Sequence, residues 1–494
     1  MIDQAPILVI VIPLLAAIVT PVAGLLKEKL CYPLTVMTLL TSTIFSAMIL
    51  LRVINAGEIH YYLGGWRPPW GIECVIDHLS ALILMIVSGS AFLAAIFSKN
   101  SVERELAGKE VYFYTLFLLQ TTGFTGIVIT GDMFNLYVFL EITSITGYAL
   151  IAAGEDGAYM ATFRYIIMGT IGACFYLLGV GYLYMMTGSL NMADIAKILP
   201  GLYGSETVLI AFAFLVVGIA IKMALFPLHG WLPDAYSKAP SASSALIAPL
   251  MTKVSVYIML RVVLYVFNPS FSIAMLSGTD ILLWTGTAAI IAGAFKALSQ
   301  TDYKRMLCYI IVAEIGYMVG GIGLANKTAL CGVVLHILND AVMTLGLFFV
   351  AGIVTYHTKT HNISDFKSLF KKMPYTMGGF AIAALSIIGV PPTCGFFSKW
   401  YLIRGALFGD NWVFIAALLF SSLVNTVLFF RIFEIGYVFH GPKEDHYHGE
   451  TAAIREAPPT MLIPLLMVTA GIVLIGLFNQ SITENIIKFA IPAL

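Results

Sequence analysis

Charge is scarce in this chain of 494 residues. Asp, Glu, Lys and Arg together make up 11% of it, whereas soluble domains carry about 25%. Hydrophobic residues make up 59%, and the mean hydropathy is +0.91. A single soluble core cannot bury this much apolar surface, so the composition predicts a polytopic membrane protein. A net charge of zero and a pI near 7.1 exclude the basic face that binding to nucleic acid requires.

Cysteine is also scarce, and other signs of a catalytic centre are missing. The six cysteines are scattered without a CxxC pair, which predicts neither an iron–sulfur cluster nor a disulfide framework, and they are expected to be small apolar fillers. The sequence contains no Walker loop, dinucleotide fingerprint, nucleophile elbow or haem-type histidine pair. The stretch EDHYHGE at 444–450 has metal-ligating residue types but no second ligand cluster, which favours a solvated loop. No cofactor and no metal are therefore predicted.

Long hydrophobic runs dominate what is present. Because about 20 apolar residues cross a bilayer core, these runs can be counted as fourteen spans. The N-terminal sequence MIDQAPILVIVIPLL lacks a basic n-region and a small-residue cleavage site, so the first span is predicted to be retained. The predicted spans are 5–26, 33–54, 77–98, 110–130, 133–153, 161–187, 205–227, 241–268, 278–299, 304–325, 326–356, 375–403, 411–438 and 459–479.

The connections between spans differ in basic residues. Those after odd-numbered spans, with their flanks, carry fourteen Lys and Arg residues, and those after even-numbered spans carry six. By the positive-inside rule, the odd connections face the cytoplasm and both termini face outward, with the protein in the cell membrane.

Five ionisable residues lie near the middle of long apolar runs. They are Glu141, Lys222, Lys253, His336 and Lys399. A charge at bilayer depth costs about 2.5–3.5 kcal/mol on insertion scales, so it is rare without a use. Together these residues predict a charge relay through or along a membrane.

Two spans are predicted to be broken. In the seventh, Pro227 follows Lys222, and in the twelfth, Pro391 and Pro392 precede Lys399. Irregular backbone at membrane depth is tolerated only where it is buried in protein or lines a watery cavity. The breaks are five spans apart, which indicates two inverted repeats of five helices with an ion site between them. The alternative is that both prolines are packing kinks.

Two stretches of sequence carry a family resemblance. KMALFPLHGWLPDAYSKAPSASSALIAPLMTKVSVYIMLR (222–261) and ALSQTDYKRMLCYIIVAEIGY (297–317) resemble signature regions of the antiporter-like proton-translocating family. That family comprises the large antiporter-like subunits of respiratory complex I, the A and D subunits of Mrp-type sodium/proton antiporters, and their counterparts in membrane-bound hydrogenases. The resemblance extends from Asp77 to about Phe439, and the chain length is most similar to an Mrp D-type subunit or the equivalent hydrogenase subunit.

The resemblance implies an all-α fold of about fourteen helices with two inverted five-helix repeats, each containing a broken helix. Helices 1–3 would occupy residues 1–109, the first repeat 110–268, the second 278–440, and a loop with the last helix 441–494. It also implies a midplane proton relay formed by Glu141, Lys222, Lys253, His336 and Lys399. Its partners would be other hydrophobic subunits, and its ions protons and, as an alternative, sodium.

The residue types suit a proton relay. A free lysine has a pKa near 10.4 and holds its proton too tightly for a relay. Burial lowers the pKa of a lysine, and a nearby carboxylate raises it again. Separating Glu141 from Lys222 would therefore release a proton along the row. Arginine could not serve, because it does not deprotonate in proteins.

Each relay residue also has a structural alternative. Glu141 could form a static ion pair that fixes helix packing. Lys253 could reach along its helix to the membrane interface, and Lys399 could mark a helix end. His336 could be a satisfied core histidine.

The chain departs from many relatives at two positions. Thr344 stands where they place a lysine, so Lys253, His336 and Asp340 are expected to carry the central relay with water between them. Glu314 stands where relatives often have an uncharged polar residue, and it is predicted either to pair with a neighbouring base or to be silent. His229 and Asp234 are candidates for lining a cytoplasmic inlet under the broken seventh span.

Three functions remain open from the sequence. The first is an Mrp-type antiporter subunit that exchanges sodium for protons. The second is the ion-pumping module of a redox-driven complex, in which other subunits carry the redox centres. The third is a structural scaffold whose buried charges only hold neighbouring subunits.

Overall fold

The structure is almost entirely helical. The computed structural model describes residues 4–154, 157–269, 271–272, 279–367, 369–437 and 456–492, so the EDHYHGE stretch at 444–450 lies outside the described residues. Within them, one two-stranded antiparallel sheet forms in the connection between the second and third spans. Its strands are β1 (Ile59–Tyr62) and β2 (Glu73–Ile76), with Ile59 opposite Ile76.

Nineteen α-helices occur in the described part of the chain. They are α1 (Ala5–Leu26), α2 (Cys31–Ala56), α3 (His78–Glu105), α4 (Glu110–Ile129), α5 (Met133–Ala152), α6 (Ala158–Thr187), α7 (Met192–Ile198), α8 (Glu206–Lys222), α9 (Leu232–Lys238), α10 (Ser241–Leu260), α11 (Thr279–Leu298), α12 (Tyr303–Gly323), α13 (Lys327–Thr358), α14 (Leu369–Lys372), α15 (Pro374–Ile388), α16 (Cys394–Phe408), α17 (Trp412–Tyr437), α18 (Pro459–Leu477) and α19 (Asn479–Asn485). A π-helical turn, Arg261–Val266, extends α10. Short 3₁₀ turns occupy 28–30, 63–65, 199–202, 363–366 and 487–489.

Twelve helices in the described residues are long and apolar enough to cross a membrane. Two further crossings are built from shorter helices. The seventh span consists of α8, an irregular segment at 223–231, and α9. The twelfth consists of α15, an irregular segment at 389–393, and α16. Together these crossings confirm the prediction of about fourteen spans, two of them broken.

Proline and glycine explain the breaks. Pro227, Pro391 and Pro392 have no N–H to donate to a helical ladder, and their rings clash with the preceding turn. Gly389 has φ +96°, a left-handed conformation that ends α15. The runs 205–227 and 375–403 are thus interrupted as predicted, and the structure adds the bounds of the irregular segments, 223–231 and 389–393.

Two five-span units repeat in inverted orientation. At the start of α5, Asp132 forms a β-bridge with Asn191, and at the start of α12, Asp302 forms the same bridge with Asn362. The two bridges are separated by an odd number of crossings, so they lie on opposite membrane faces. We call the face with the connections after odd-numbered spans the odd face, and the opposite one the even face.

The most buried helices lie at the junction of the two units. In their most apolar 18-residue windows, α10 with its π-turn is 100% buried, and α12 and α13 are each 94% buried, against 33% for α1. Helix α10 belongs to the first unit, and α12 and α13 belong to the second. Ionisable side chains in the middle of these three helices are therefore enclosed by protein rather than by lipid, as for Lys253, Glu314 and Asp340.

Candidate functional site

The first buried pair joins α5 to the end of α8. Lys222 Nζ donates to Glu141 Oε1 at 3.3 Å and to Ser144 Oγ at 2.7 Å. The Lys222 side chain is 7% exposed and that of Glu141 is 30% exposed. The carboxylate thus remains open at its outer side, while the lysine is enclosed.

The break in the seventh span positions Lys222. Helix α8 ends at this residue, where the negative end of the helix dipole favours a cation. The indole of Trp231, from the irregular segment, donates to the carbonyl of Ile221 at 3.1 Å. This bond satisfies one of the carbonyls that lose their helical partners where the helix stops.

The second pair lies at the centre of the molecule. Lys253 Nζ of α10 is 2.9 Å from Asp340 Oδ2 of α13, and the two side chains are 2% and 0% exposed. Thr344, one turn along α13, donates to Asp340 Oδ1 at 2.7 Å. The aspartate therefore contacts the lysine directly, whereas the sequence predicted water between the members of the central relay. Thr344 supports the carboxylate instead of titrating.

The third pair is also fully enclosed. His336 Nε2 of α13 is 2.7 Å from Glu314 Oε2 of α12, with both side chains 0% exposed. The other ring nitrogen of His336, Nδ1, is 2.9 Å from Ser398 Oγ of α16. Of the two alternatives predicted for Glu314, the structure shows pairing with a neighbouring base.

Lys399 lies in α16, just after the second break. Its Nζ donates to the carbonyl of Ile387 at 2.6 Å and to Ser422 Oγ at 3.2 Å. The ring centroid of Tyr317 lies 5.1 Å from Nζ. Because α16 continues to Phe408, Lys399 is inside a helix rather than at its end.

The second and third pairs and Lys399 form one continuous row, and the first pair lies on the other side of α10. Asp340 and His336 are four residues apart on α13 and so share one helix face. The ring of Tyr317 lies 5.4 Å from that of His336 and also contacts Lys399, which joins the last two groups.

A small cavity lies between Lys222 and α10. It measures about 10 Å³ and is lined by Lys222, Ser144 and Ser255, with mostly apolar residues around them. About 10–15 Å³ accommodates one water molecule. Ser255 lies two residues after Lys253, on a different face of α10, so the cavity reaches the helix that carries Lys253 but not Lys253 itself.

The two predicted inlet residues lie near the break but differ in their contacts. Asp234 of α9 pairs with Arg164 of α6 at 2.8 Å and with Arg305 of α12 at 3.1 Å, which links the two units. His229 contacts the rings of Phe226 and Tyr309. The structure therefore places Asp234 in a bridge between two arginines.

A larger cavity opens on the odd face. It measures about 450 Å³, and its lining includes Glu105, Lys304, His361 and Pro240, the residue before α10. Burial and the charges of Lys304 and Lys238 lower the pKa of His361 to about 3, so its imidazole stays neutral.

Another cavity opens on the even face. It measures about 340 Å³ and is lined by Glu73, Asp77, Tyr257 and Arg261 among others. Arg261 binds Asp77 through two nitrogens at 2.6 and 2.5 Å, and its Nε donates to the Tyr257 hydroxyl at 2.9 Å. Tyr257 is one turn beyond Lys253, so cavities from both faces reach α10.

Several polar residues of the row were not predicted from the sequence. Hydroxyl groups contact the lysines and the histidine of the predicted relay, from Ser144, Tyr317, Ser398 and Ser422. Hydroxyl residues are common in membrane helices, so their presence alone gave no distinct signal. Their spacing from the charged residues is a signal that could have identified them: Ser144 is three residues after Glu141, Tyr317 three after Glu314, and Ser398 directly precedes Lys399.

Metal binding has no support in the described part of the chain. No group of three or more His, Cys, Asp or Glu side chains is placed there to hold a metal ion. Five of the six cysteines are buried, and Cys174 is exposed on α6.

Fourteen spans, two inverted units with broken helices and an enclosed row of bases and carboxylates define an antiporter-like membrane protein. Residues 130–425 match the family model described as NADH:quinone oxidoreductase/Mrp antiporter, transmembrane. The chain belongs to this family.

Relatives and solved structures agree with the assignment. The chain is 45% identical to NADH-quinone oxidoreductase subunit N of Desulforudis audaxviator, over 99% of this chain and 98% of the relative. It is 33% identical to the D-type subunit of a Na⁺/H⁺ antiporter of Alkalihalophilus pseudofirmus, over 90% and 88%. It also resembles a chain of the membrane-bound sulfane sulfur reductase, an archaeal respiratory membrane complex, with a TM-score of 0.90, 32% identity, and coverage of 98% and 96%.

Proposed function

We propose that this protein translocates protons along the row from Glu141 to Lys399, as one subunit of a multisubunit complex in the cell membrane. The observation that carries the proposal is the enclosed Lys253–Asp340 pair, at 2.9 Å and almost without exposure. Removing two charges from water costs several kcal/mol per ion. Membrane proteins therefore rarely retain buried charges that have no function.

The row supplies groups that can exchange protons. Lysine and histidine alternate with carboxylates, so a carboxylate that moves away from its base releases that base's proton to the next group. Glu141 and Lys222, at 3.3 Å, form the most accessible of these switches because the Glu141 side chain is 30% exposed. Tyr317 connects His336 to Lys399, and a water-sized cavity lies between Lys222 and α10.

The cavities support access from both sides of the membrane. The odd-face cavity reaches the start of α10, and the even-face cavity reaches Tyr257, one turn beyond Lys253. On α10, the hydroxyls of Ser241, Ser243 and Thr252 are buried without a hydrogen-bond partner among the described residues. A polar path could therefore lead from each face to Lys253, as a proton relay that opens to both sides of the membrane requires.

Protons suit the row better than sodium. A hard cation such as sodium prefers several converging oxygens. Here each of the carboxylates Glu141, Glu314 and Asp340 is paired with a nitrogen base instead.

The energy for pumping must come from elsewhere. Moving one charge against 100 mV takes about 2.3 kcal/mol. The 45% identity to an NADH-quinone oxidoreductase subunit over nearly the whole chain supports a redox-driven complex as the source. We therefore assign the chain to the ion-translocating module of such a complex.

An Mrp-type sodium/proton antiporter is the second candidate. The 33% identity to a Na⁺/H⁺ antiporter chain, over 90% of this protein, supports it. In that case an ion gradient would replace the redox reaction as the source of energy, with the same row of residues carrying protons.

The two candidates are separated by purification from native membranes in mild detergent, followed by mass-spectrometric identification of every co-purifying subunit. Subunits with iron–sulfur or nickel sites are expected for the redox-driven complex. Only small hydrophobic partners would support the Mrp-type antiporter. Recovery of the chain alone, intact and active, would contradict both.

Proton translocation itself is tested with substitutions of Lys222. Lys222→Ala removes the base, and Lys222→Arg keeps the charge but cannot deprotonate. Both are expected to lower translocation by membrane vesicles about 10²-fold or more, the usual contribution of a positioned acid or base. Lys327→Ala, at an exposed lysine, is the matched control. Wild-type translocation by an assembled Lys222→Ala complex would support the scaffold function instead.

A further inference from the structure

The two inverted units can be aligned from their helix caps. Asp132 caps α5 by accepting from the N–H of Asn135 at 2.7 Å, and Asp302 caps α12 by accepting from the N–H of Arg305 at 2.8 Å. Both caps also form a bridge to an asparagine, as described above. Helices α5 and α12 are therefore counterparts, and their residues correspond when counted from the caps.

Glu314 occupies a position that faces a lysine in the first unit. It is the twelfth residue after its cap Asp302, and Ser144 is the twelfth after Asp132. Ser144 contacts Lys222 Nζ at 2.7 Å, next to Glu141 one turn earlier on the same helix. A carboxylate at this position of α12 therefore points toward the break of the second unit.

Lys399 brings its side-chain nitrogen to the corresponding place at the second break. In the first unit, Lys222 lies five residues before Pro227, and in the second, Ile387 lies five residues before Pro392. Lys399 Nζ donates to the carbonyl of Ile387 at 2.6 Å. The second unit therefore contains a lysine nitrogen at the position where the first unit has the nitrogen of Lys222.

In this structure the carboxylate is bound to a different base. Glu314 Oε2 is 2.7 Å from His336 Nε2, but neither Glu314 oxygen has a hydrogen bond of regular geometry to the described residues. No carboxylate of the described residues lies within ion-pair distance of Lys399 Nζ. Tyr317, one turn after Glu314, contacts both bases, with its ring 5.4 Å from the His336 ring and 5.1 Å from Lys399 Nζ.

We propose that Glu314 is a second switching carboxylate, which pairs with His336 in one state and with Lys399 in the other. The second unit would then contain a carboxylate–lysine switch equivalent to the Glu141–Lys222 pair of the first. This inference rests on the proposed proton translocation. It adds Glu314 as a residue that controls proton transfer at the Lys399 end of the row.

The proton balance of the switch is simple. In the state bound to His336, the imidazole is protonated on both ring nitrogens and Lys399 is a neutral amine. When the carboxylate moves to Lys399, His336 releases one of these protons and becomes neutral, and Lys399 takes up one from the opposite side. The trio keeps one negative and one positive charge throughout, so no uncompensated charge is left in the buried site.

A static Glu314–His336 pair is the competing explanation, and paired substitutions separate the two. Glu314→Gln should lower proton translocation by vesicles containing the whole complex about 10²-fold, and Glu314→Asp should restore a large part of it. In the double variant Glu314→Gln with His336→Gln, no buried charge is left unpaired. Recovery of proton translocation in this assembled double variant would mean that the pair is only structural and would contradict the switch, which requires that the variant still fails.

Further variants make each outcome decisive. Glu434→Gln, at an exposed carboxylate of α17, should translocate like the wild type. Wild-type translocation by Glu314→Gln or by the double variant would overturn the switch, as would failure of both the Gln and the Asp variants to assemble with partner subunits. Lys222→Ala in the same assay distinguishes the two proposals: if it also translocates normally, the proposed function itself is wrong.

Discussion

At the scale of single residues, the row consists of charges that cannot be removed one at a time. Lys253 and Asp340 are enclosed by helices on all sides, so each ion depends on the other for its solvation. Removing one partner of such a pair typically costs about 3–5 kcal/mol, because the remaining charge is left buried and unpaired. Replacing both partners with apolar groups is often neutral.

Asp340→Asn is therefore expected to destabilise the complex strongly. The expected loss is about 3–5 kcal/mol, because Lys253 loses its counter-ion. The double variant Asp340→Asn with Lys253→Met should recover most of the stability but not proton translocation. The measurement is the thermal unfolding of the purified complex, alongside vesicle translocation assays.

Thr344→Val provides a matched control for this prediction. It removes only the hydroxyl that donates to Asp340 Oδ1 at 2.7 Å, so a smaller loss of about 1 kcal/mol is expected. If Asp340→Asn were as stable as Thr344→Val, the pair would not hold charge in the folded protein.

At the scale of helices, close packing positions the charged side chains. Helices α11 and α12 approach each other through glycines: a Cβ at Gly316 would lie 2.6 Å from the carbonyl oxygen of Gly286 and 2.9 Å from the backbone nitrogen of Ile290. Backbone atoms cannot rotate away as a side chain can. The contact therefore fixes the height and rotation of α12, which carries Glu314 and Tyr317.

Gly316→Ala is expected to displace α12 from α11. The added methyl group should cost about 1–3 kcal/mol through overpacking, and translocation should fall because Glu314 shifts relative to His336. Gly181→Ala in α6, where a Cβ would meet nothing within 4 Å, is the control and should change little. Equal melting temperatures for the two variants would contradict the close contact.

At the scale of the whole molecule, cavities on opposite faces meet the same central helix. The odd-face cavity lies at the beginning of α10 and the even-face cavity near its end, with Lys253 between them. The odd-face cavity is lined by residues of both units, whereas the even-face cavity is lined by the first unit and by the connection before α3. The excess of basic residues predicts that the odd face lies in the cytoplasm.

This orientation can be measured by cysteine labelling of intact cells. In a Cys174→Ser background, Glu58→Cys lies on the even face and Lys109→Cys on the odd face, both in connections between spans. A membrane-impermeant maleimide should label residue 58 from outside and residue 109 only after permeabilisation. The reverse pattern would place both termini in the cytoplasm and reverse the direction of the two cavities.

The sequence was sufficient for features that depend on local composition. Apolar runs of about 20 residues specify spans whatever surrounds them, and Pro227, Pro391 and Pro392 interrupt a helix through their own missing N–H groups. The buried charges were visible for the same reason: an ionisable residue in an apolar run stands out without any knowledge of its neighbours.

Only the tertiary structure decided how those charges are partnered. Asp340 and Lys253 are 87 positions apart in the chain, and their contact depends on the rotation of α13 against α10, for which neither helix contains a local signal. The same holds for Glu314, which meets His336 because glycines let α12 pack closely, and for Asp234, held between Arg164 and Arg305. Hydropathy fixes which segments enter the membrane, but the packing of helix against helix fixes which charges meet there.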